Sequence, residues 1–467
     1  MSPPRPRLPH HHALLTARHD RIVLCAVALS MALAACGDDS STETPPQDAA
    51  APTPDAAPSP PPDASPSPPQ DAAPPTLPPP DAAPATLRFT APGASVQLFL
   101  PQRVEWVASP TDTTYDIRLV DADTDEVLAA VSGLAENGWL PPRSVAGRRA
   151  RLEVTAQPSG ASGTLDFAVR LLAAEPDLVA PQTICGDAEG IGSRIAYGLA
   201  VLGGKVFTGW NADAAGVCRS DAATLAHEGV FGNDRPTFRT FGVTKDAAND
   251  RIYAAAFPFL VQCDDPLDRV LVLDAPTSAE PRVSRLETGM ESPYAMTLAR
   301  GTLHQSALFT QSCYGANLIC SDDGSCPNGF SSYLAYDVEA DREVVNDPGN
   351  WGTAAITADA DRVYRGTMMQ HAVYVHDAST GALLATTPLE GPGEARGLLR
   401  LDDGPHRFLV ETSNDNHLRV YALEGEGFML LQDLVLSDSY WQGDFDGEHF
   451  YWPAQNTRRV VRHGLKP

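Results

Sequence analysis

The chain has 467 residues and a formal net charge of −25 at pH 7, with 59 Asp and Glu against 34 Lys and Arg. Such an excess of negative charge repels nucleic acid and anionic lipid surfaces, so neither is an expected partner. With 43% hydrophobic residues, the chain is long enough to form more than one folded domain.

Residues 1–35 have the pattern of an export signal peptide. Four Arg residues precede the apolar run Ile22 to Ala35, which is shorter than the roughly 20 residues of a membrane-spanning helix. The run ends in Leu33-Ala34-Ala35-Cys36, which resembles the lipobox of bacterial lipoproteins. The resemblance implies cleavage before Cys36, acylation of Cys36 with chains such as palmitate, and anchorage in a lipid bilayer. An uncleaved anchor helix with an incidental Cys is the alternative.

Gly37 bears on localisation in the cell envelope. It follows Cys36 where lipoproteins of the inner membrane often carry Asp, so the outer membrane is favoured, facing the periplasm or the cell surface. Because residues 1–35 carry a net charge of +3 (four Arg and one Asp), the chain after them carries about −28.

Residues 36–86 comprise Cys36 and a Pro/Ala/Asp-rich tract. An Asp-Ala unit recurs along it, at Asp48, Asp55, Asp63, Asp71 and Asp81. Pro interrupts backbone hydrogen bonding and the tract has almost nothing apolar to bury, so we predict a disordered linker. In polyproline-like form, fifty residues at about 3.1 Å each span roughly 150 Å. The linker is expected to hold the folded part away from the membrane.

Residues 87–172 alternate apolar and polar side chains in short runs separated by turn residues. About seven strands are predicted, including Val104–Trp106, Tyr115–Leu119, Glu126–Val131, Arg151–Val154 and Leu165–Val169. This spacing predicts a β-sandwich. Trp106-x-Ala-Ser-Pro, Tyr115-Asp-Ile-x-Leu, Trp139-Leu-Pro and Arg151-Leu-x-Val resemble an Ig-like family named for fungal cell-wall synthesis proteins. The resemblance implies a cell-surface spacer or a carbohydrate-adjacent module, and not an enzyme. Trp106 and Trp139 are expected to be core residues, with sugar binding as the alternative.

Residues 173–467 contain three short sequence patterns that recur together, each time in the same order. Second-strand cores recur at Lys205–Phe207, Arg251–Tyr253, Thr302–His304, Arg362–Tyr364, Arg407–Leu409 and His449–Tyr451. A large residue followed by a small one precedes each core, and an apolar strand follows it. The spacing predicts a six-bladed β-propeller, with seven blades as the alternative. A segment near Gln182 to Asp187 is expected to complete the last blade.

One repeat carries a family resemblance. Val373-Tyr-Val-His-Asp-Ala-Ser-Thr-Gly resembles the YVTN and quinoprotein-type propeller repeats. The resemblance implies a propeller and no particular ligand.

Six cysteines follow Cys36: Cys185, Cys218, Cys263, Cys313, Cys320 and Cys326. An even number in an exported chain predicts disulfides. Neighbouring positions favour Cys185–Cys218, Cys263–Cys313 and Cys320–Cys326 among fifteen connectivities. A zinc site is the alternative, although Cys-x-x-Cys spacing is lacking.

The large residue before each small one is predicted to surround one mouth of the propeller channel. With two neighbours, Glu394 and Trp441, these residues form the candidate ligand site: Tyr197, Phe241, Tyr294, Trp351, Glu394, Arg396, Trp441 and Gln442. Aromatic rings beside one Arg and one Glu suit a small polar or sugar-like ligand. The alternative is that these side chains plug the channel and pack between blades.

Metal and catalytic motifs are weak. Asp444-Phe445-Asp446-Gly447-Glu448 begins like a calcium loop, and Ser321-Asp322-Asp323-Gly324 is acidic, but both patterns are more typical of turns. No catalytic residue and no cofactor is predicted, with calcium kept as an alternative. The histidines His304, His371, His376, His406, His417, His449 and His463 show no metal-pair spacing and are expected to be polar strand or surface residues.

These observations favour a non-catalytic envelope lipoprotein whose propeller binds a ligand or partner, such as a glycan, a small molecule or an envelope protein. Two alternatives stay open. One is a metal-dependent six-bladed enzyme of the lactonase or lyase type, for which Glu394, Asp438 and Asp444 are the nearby carboxylates. The other is a purely structural envelope protein.

Overall fold

A computed structural model describes residues 86–91, 96–107, 110–185, 195–211, 216–232, 238–258, 270–288, 294–306, 310–311, 317–318, 333–347, 355–367, 371–425 and 427–467. Within these ranges the elements are β-strands apart from one 3₁₀ turn, Arg143–Val145. The described part has no helix long and apolar enough to cross a membrane. The predicted signal peptide, Cys36 and the Pro/Ala/Asp tract up to residue 85 lie outside these ranges.

The residues from 86 to 172 form two β-sheets around a common core. Eight strands build them: β1 (Phe89–Ala91), β2 (Val96–Leu98), β3 (Val104–Trp106), β4 (Thr114–Asp121), β5 (Val127–Leu134), β6 (Gly138–Trp139), β7 (Arg148–Gln157) and β8 (Ser162–Leu172). One sheet has the order β1-β3-β6 and the other β2-β8-β7-β4-β5. Alternate residues of β7 point inward because side chains alternate along a strand. The predicted β-sandwich is present, and Trp106 is buried in its core against Tyr115.

After residue 172, the described strands form four-stranded sheets arranged as in a β-propeller. Five follow the chain directly. The first sheet is β10 (Ile195–Leu202), β11 (Lys205–Asn211), β12 (Val217–Asp221) and β13 (His227–Phe231), and the second is β14 (Phe238–Asp246), β15 (Arg251–Pro258), β16 (Val270–Asp274) and β17 (Arg282–Leu286). The third is β18 (Ala295–Ala299), β19 (Thr302–Ser306), β22 (Tyr333–Asp337) and β23 (Arg342–Asp347), and the fourth is β24 (Ala355–Ala358), β25 (Arg362–Gly366), β26 (Ala372–Asp377) and β27 (Leu383–Pro388). The fifth is β28 (Ala395–Asp403), β29 (His406–Ser413), β30 (His417–Glu424) and β31 (Gly427–Val435). A short ribbon, β20 (Thr310–Gln311) with β21 (Asn317–Leu318), lies between β19 and β22 in the chain.

The sixth sheet joins the two ends of this region. Its order is β32 (Asp444–Phe445), β33 (Phe450–Ala454), β34 (Arg459–His463) and β9 (Leu178–Val179). The last strand was expected from a segment near Gln182 to Asp187; the same stretch of chain supplies it, but about four residues earlier, as β9. Its two residues, of which Val179 is 42% exposed, are too few to show an alternating pattern. The first strands of the first five sheets pack beside one another in order, and β10 also contacts β32 and β33 of the sixth sheet. The fifth and sixth sheets are linked through Gln442, just before β32, which hydrogen-bonds Leu398 of β28.

One predicted disulfide is present. Cys185 and Cys218 are bonded, with their Cα atoms 5.4 Å apart, and join the segment after β9 to the third strand of the first sheet. This confirms the Cys185–Cys218 pairing. Cys263, Cys313, Cys320 and Cys326 lie outside the described residues, and their pairing stays a prediction.

The C-terminal strand returns to the sandwich. Strand β35 (Leu465–Lys466) pairs with β8, placing Leu465 opposite Leu172. The chain therefore passes between the two folded parts twice, once through β9 and once through β35. Both parts belong to one compact unit, Pro79–Pro467.

Candidate functional site

The first strands of the six sheets, called here the inner strands (β10, β14, β18, β24, β28 and β32), run close beside one another around the axis. Small residues make this approach possible. A Cβ added at Gly198 would lie 2.9 Å from the Gly242 Cα, and one at Gly242 would lie 2.8 Å from the Ala295 Cα. Both distances are shorter than non-bonded carbon contacts allow. The small residues predicted at strand entry are therefore required by the packing.

An aromatic cluster lies where the inner strands begin. It consists of Tyr197, Phe241, Tyr294 and Trp441. The Tyr197 ring centroid lies 5.1 Å from Phe241, 5.0 Å from Tyr294 and 4.6 Å from Trp441. These are ordinary separations for packed aromatic pairs. Burial raises the pKa of Tyr294 well above its usual range, and the neighbouring Tyr197 adds to the effect. The four side chains thus occupy this mouth together.

Arg396 packs on the aromatic cluster. Its guanidinium carbon lies 4.9 Å from the Trp441 ring, and Nη1 donates to Ser439 Oγ and Gln455 Oε1, both at 2.6 Å. Burial lowers the pKa of Arg396 and raises the pKa of Glu394, whose charge also interacts with Arg396. The structure therefore brings five of the predicted mouth residues into one cluster, with Glu394 nearby. Trp351 lies outside the described residues.

Gln442 is engaged in a different contact. Its Oε1 accepts a hydrogen bond from the Leu398 backbone N–H at 3.1 Å, and its Nε2 donates to the Leu398 carbonyl. Both ends of the side-chain amide thus bind one residue of the neighbouring inner strand. This contact joins the fifth sheet to the sixth. The ligand role proposed for the mouth residues stays a prediction.

The inner strands also surround an axial cavity of about 200 Å³. Every inner strand, or the residues leading into it, contributes to its wall, including Leu199, Thr244, Thr297, Thr357, Leu399 and Asp444. A second cavity of about 420 Å³ adjoins the far ends of the inner strands, opposite the aromatic cluster. Lys245 lines both cavities.

Charged side chains of the axial cavity are held in ion pairs. Lys245 Nζ lies 2.7 Å from Asp444 Oδ2 and donates to the Phe445 carbonyl at 3.3 Å. Asp444 Oδ2 also accepts the Val201 backbone N–H at 2.7 Å. Arg400, almost fully buried, pairs with Asp402 and Asp359 at 2.6 and 3.3 Å.

Sequence reasoning missed Lys245 as a site residue. One signal was available: Lys245 lies on the same inner strand as Phe241, a strand already predicted to enter the channel. The scarcity of lysine was a second signal, because the chain has only three lysines, Lys205, Lys245 and Lys466.

The carboxylates considered for a metal-dependent enzyme lie in separate networks. Asp438 accepts hydrogen bonds from the backbone N–H groups of Ser439, Asn456 and Thr457 at 2.7 to 2.9 Å. Asp444 instead pairs with Lys245 in the axial cavity. The residues Asp446 to Glu448 form a turn, in which Asp446 Oδ1 accepts the Glu448 N–H. Across the described ranges, no group of three or more His, Cys, Asp or Glu has the arrangement of a metal site.

Three histidines expected to be polar strand or surface residues are fully buried in strands: His304, His376 and His463. Burial, with the nearby His376, lowers the pKa of His304 to about 4. His371 is also largely enclosed. Its Nδ1 faces the Gly391 carbonyl, and its Nε2 lies 2.8 Å from Oε1 of the buried Glu411. Because both ring nitrogens face acceptors, the doubly protonated imidazolium is the form that satisfies both contacts.

Comparisons with known proteins identify no relative by sequence. No family model and no curated protein matches the chain. Among solved structures, similarity extends to the mitotic checkpoint complex, at 10% identity and a TM-score of 0.42 over 85% of this chain and 97% of that one. It also extends to an auxiliary nutrient binding protein from Bacteroides thetaiotaomicron, at 11% identity and 0.42 over 82% and 98%. The WD40 repeats of RRP9 match at 13% and 0.40 over 68% and 91%. TM-scores below 0.5 carry no inference about ligand or activity.

Proposed function

We propose that this chain is a lipid-anchored envelope protein whose propeller is a non-catalytic binding module. In this proposal Cys36 carries the acyl chains, residues 36–86 are a flexible linker, and an Ig-like sandwich supports a six-bladed propeller. The outer membrane is the proposed location. The partner bound is a small ligand, a glycan or an envelope protein.

The observation that carries the proposal is the axial cavity. Side chains from six inner strands, or from the residues leading into them, converge on one space, and a second cavity shares Lys245 with it. Convergence of several polar groups from different strands on one enclosed space is typical of ligand sites.

The course of the chain through the sandwich separates the linker attachment from the propeller contacts. Thr86 pairs with Ser162, at the start of β8, whereas Leu172, at the end of β8, pairs with Leu465. Ten residues of strand separate these two ends, or about 33 Å. The linker therefore joins the sandwich at the end remote from the propeller contacts.

The contacts of the acidic residues favour binding over metal-dependent hydrolysis. Asp438 is occupied by backbone amides, and Asp444 is occupied by Lys245 and Val201. A divalent ion held by these carboxylates would have to displace both sets of hydrogen bonds. We therefore place the lactonase-type enzyme second.

Two measurements test the proposal. Metabolic labelling with palmitate, followed by membrane fractionation, should label the wild-type chain and leave Cys36→Ser unlabelled and released from the membrane. Thermal unfolding of the full-length chain should then be compared across envelope glycans, small metabolites and calcium. A shift with an organic ligand, without turnover of that ligand, supports the binding module. Calcium-dependent turnover would contradict it.

A further inference from the structure

The axial cavity has properties that define a class of ligand. Its volume of about 200 Å³ corresponds to roughly seven water molecules at about 30 Å³ each. This space admits one small polyol or monosaccharide. Its wall combines threonine hydroxyls with the apolar side chains of Leu199, Met296 and Leu399.

The charges around the cavity are already balanced. Lys245 is paired with Asp444, and Arg400 is paired with Asp359 and Asp402. An ionic ligand would have to separate one of these ion pairs. Otherwise its own charge would enter a half-buried site that offers it no opposite charge. Separating a buried pair is costly, because the remaining charge is left unsolvated. The cavity therefore disfavours ions of either sign.

The polar groups instead match alcohol groups. Lys245 has three N–H donors, of which two are used by Asp444 Oδ2 and the Phe445 carbonyl, so one stays available. The hydroxyls of Thr244 and Thr297 are half-buried and line the same wall. Thr357 Oγ1 accepts the Arg400 N–H at 3.0 Å and keeps its own proton to donate. A molecule with several hydroxyls can donate to and accept from such groups without a net charge.

The two ends of the axial cavity differ. The aromatic cluster fills one mouth, whereas the larger cavity beside Val201, Phe445 and Glu448 adjoins Lys245. We propose that the axial cavity, entered from the Lys245 end, binds a neutral, hydroxyl-rich molecule of about monosaccharide size. This inference rests on the proposed binding function and assigns it a position and a ligand class.

The test is calorimetric titration of the full-length chain, kept in a detergent that has no sugar head group. The probes share a six-carbon skeleton and differ in charge: glucose and mannitol are neutral, gluconate is anionic and glucosamine is cationic. We expect at least one neutral probe to bind at least tenfold more tightly than both charged probes. Thr297→Val and Thr244→Val, which replace a hydroxyl by a methyl of similar size, should each weaken binding about tenfold.

Two control variants separate the alternatives. Thr386→Val changes an exposed threonine of the outer strand β27 and should leave the affinity unchanged. Tyr197→Phe probes the aromatic cluster and should also leave it unchanged. Tighter binding of gluconate or glucosamine overturns the neutral-ligand assignment, and so does neutral binding that is lost in Tyr197→Phe but retained in Thr297→Val. Both outcomes leave the binding function standing. If none of the four probes binds, the inference is overturned, and the wider ligand comparison alone decides the proposed function.

Discussion

Phe99 of the sandwich packs against Phe408 of the fifth propeller sheet, with ring centroids 5.1 Å apart and planes at 72°. Both side chains are almost fully buried in a core that includes Leu172, Phe450 and Trp452. A residue of the N-terminal sandwich thus forms part of the hydrophobic core of the last two propeller sheets. The two folded parts are fastened by a common core and by strand pairing.

Removing this ring should weaken the whole described unit. We expect Phe99→Ala to lower the free energy of unfolding by about 3–5 kcal/mol, because it leaves a cavity between the two parts. Urea unfolding followed by tryptophan fluorescence measures the effect. Val127→Ala, at a half-exposed position of the same sandwich, should change the free energy by less than about 0.5 kcal/mol. Equal effects of the two variants would show that Phe99 does not join the parts.

The repeat pattern predicted most of the propeller. The tripeptides expected as second-strand cores lie in or at the edge of β11, β15, β19, β25, β29 and β33, the second strand of each sheet. They were visible because these strands are buried on both faces and therefore strongly apolar. The outer strands were not anticipated. Strand β17, for example, has three consecutive exposed residues, so its composition does not distinguish it from a loop.

The candidate site was predicted only in part. The large residue before each small one led to Tyr197, Phe241, Tyr294 and Trp441, because a repeated position in a repeated fold converges on the axis. What these side chains contact depends on their conformation and not on their spacing. The same limit applies to Gln442 and to Lys245, whose partners Leu398 and Asp444 come from other sheets.

The side-chain amide of Gln442 should contribute to stability at the joint between the fifth and sixth sheets. Gln442→Ala would leave the N–H and carbonyl of Leu398 without these partners inside the protein. Each buried polar group left unsatisfied costs about 1–3 kcal/mol, so we expect a loss of about 2 kcal/mol or more. Gln442→Glu keeps the acceptor but buries a carboxylate against the Leu398 carbonyl, so at neutral pH it should destabilise the chain at least as much in chemical denaturation. A purely ligand-binding role would instead leave the stability of both variants at the wild-type value.

The Cys185–Cys218 disulfide should stabilise closure of the propeller. It joins residues 33 apart in sequence, and a loop of this length is expected to contribute about 3–4 kcal/mol by restricting the unfolded chain. The double variant Cys185→Ser/Cys218→Ser should lose this amount in urea unfolding under oxidising conditions. Under full reduction, the wild-type chain and the double variant should unfold at similar denaturant concentrations. A difference that persists after reduction would assign the effect to local packing.

The interaction between His371 and Glu411 predicts a pH dependence of stability. Burial lowers the pKa of His371, but the hydrogen bond and charge of Glu411 outweigh burial, so its pKa is raised above 6.5. A group whose pKa is raised by folding contributes stability below its unfolded pKa and loses that contribution as the pH rises through its folded pKa. The stability difference between wild type and His371→Gln should therefore be largest near pH 6 and decrease at alkaline pH.

His304 provides the opposite case within the same fold. Because folding lowers its pKa to about 4, protonation destabilises the folded chain as the pH falls below 6.5. The stability difference between wild type and His304→Gln should thus be largest at neutral pH and shrink towards pH 4. Urea unfolding of both variants over pH 4.5 to 9 compares the two slopes. Slopes of the same sign would contradict the assignment of a charged His371 paired with Glu411 and a neutral, buried His304.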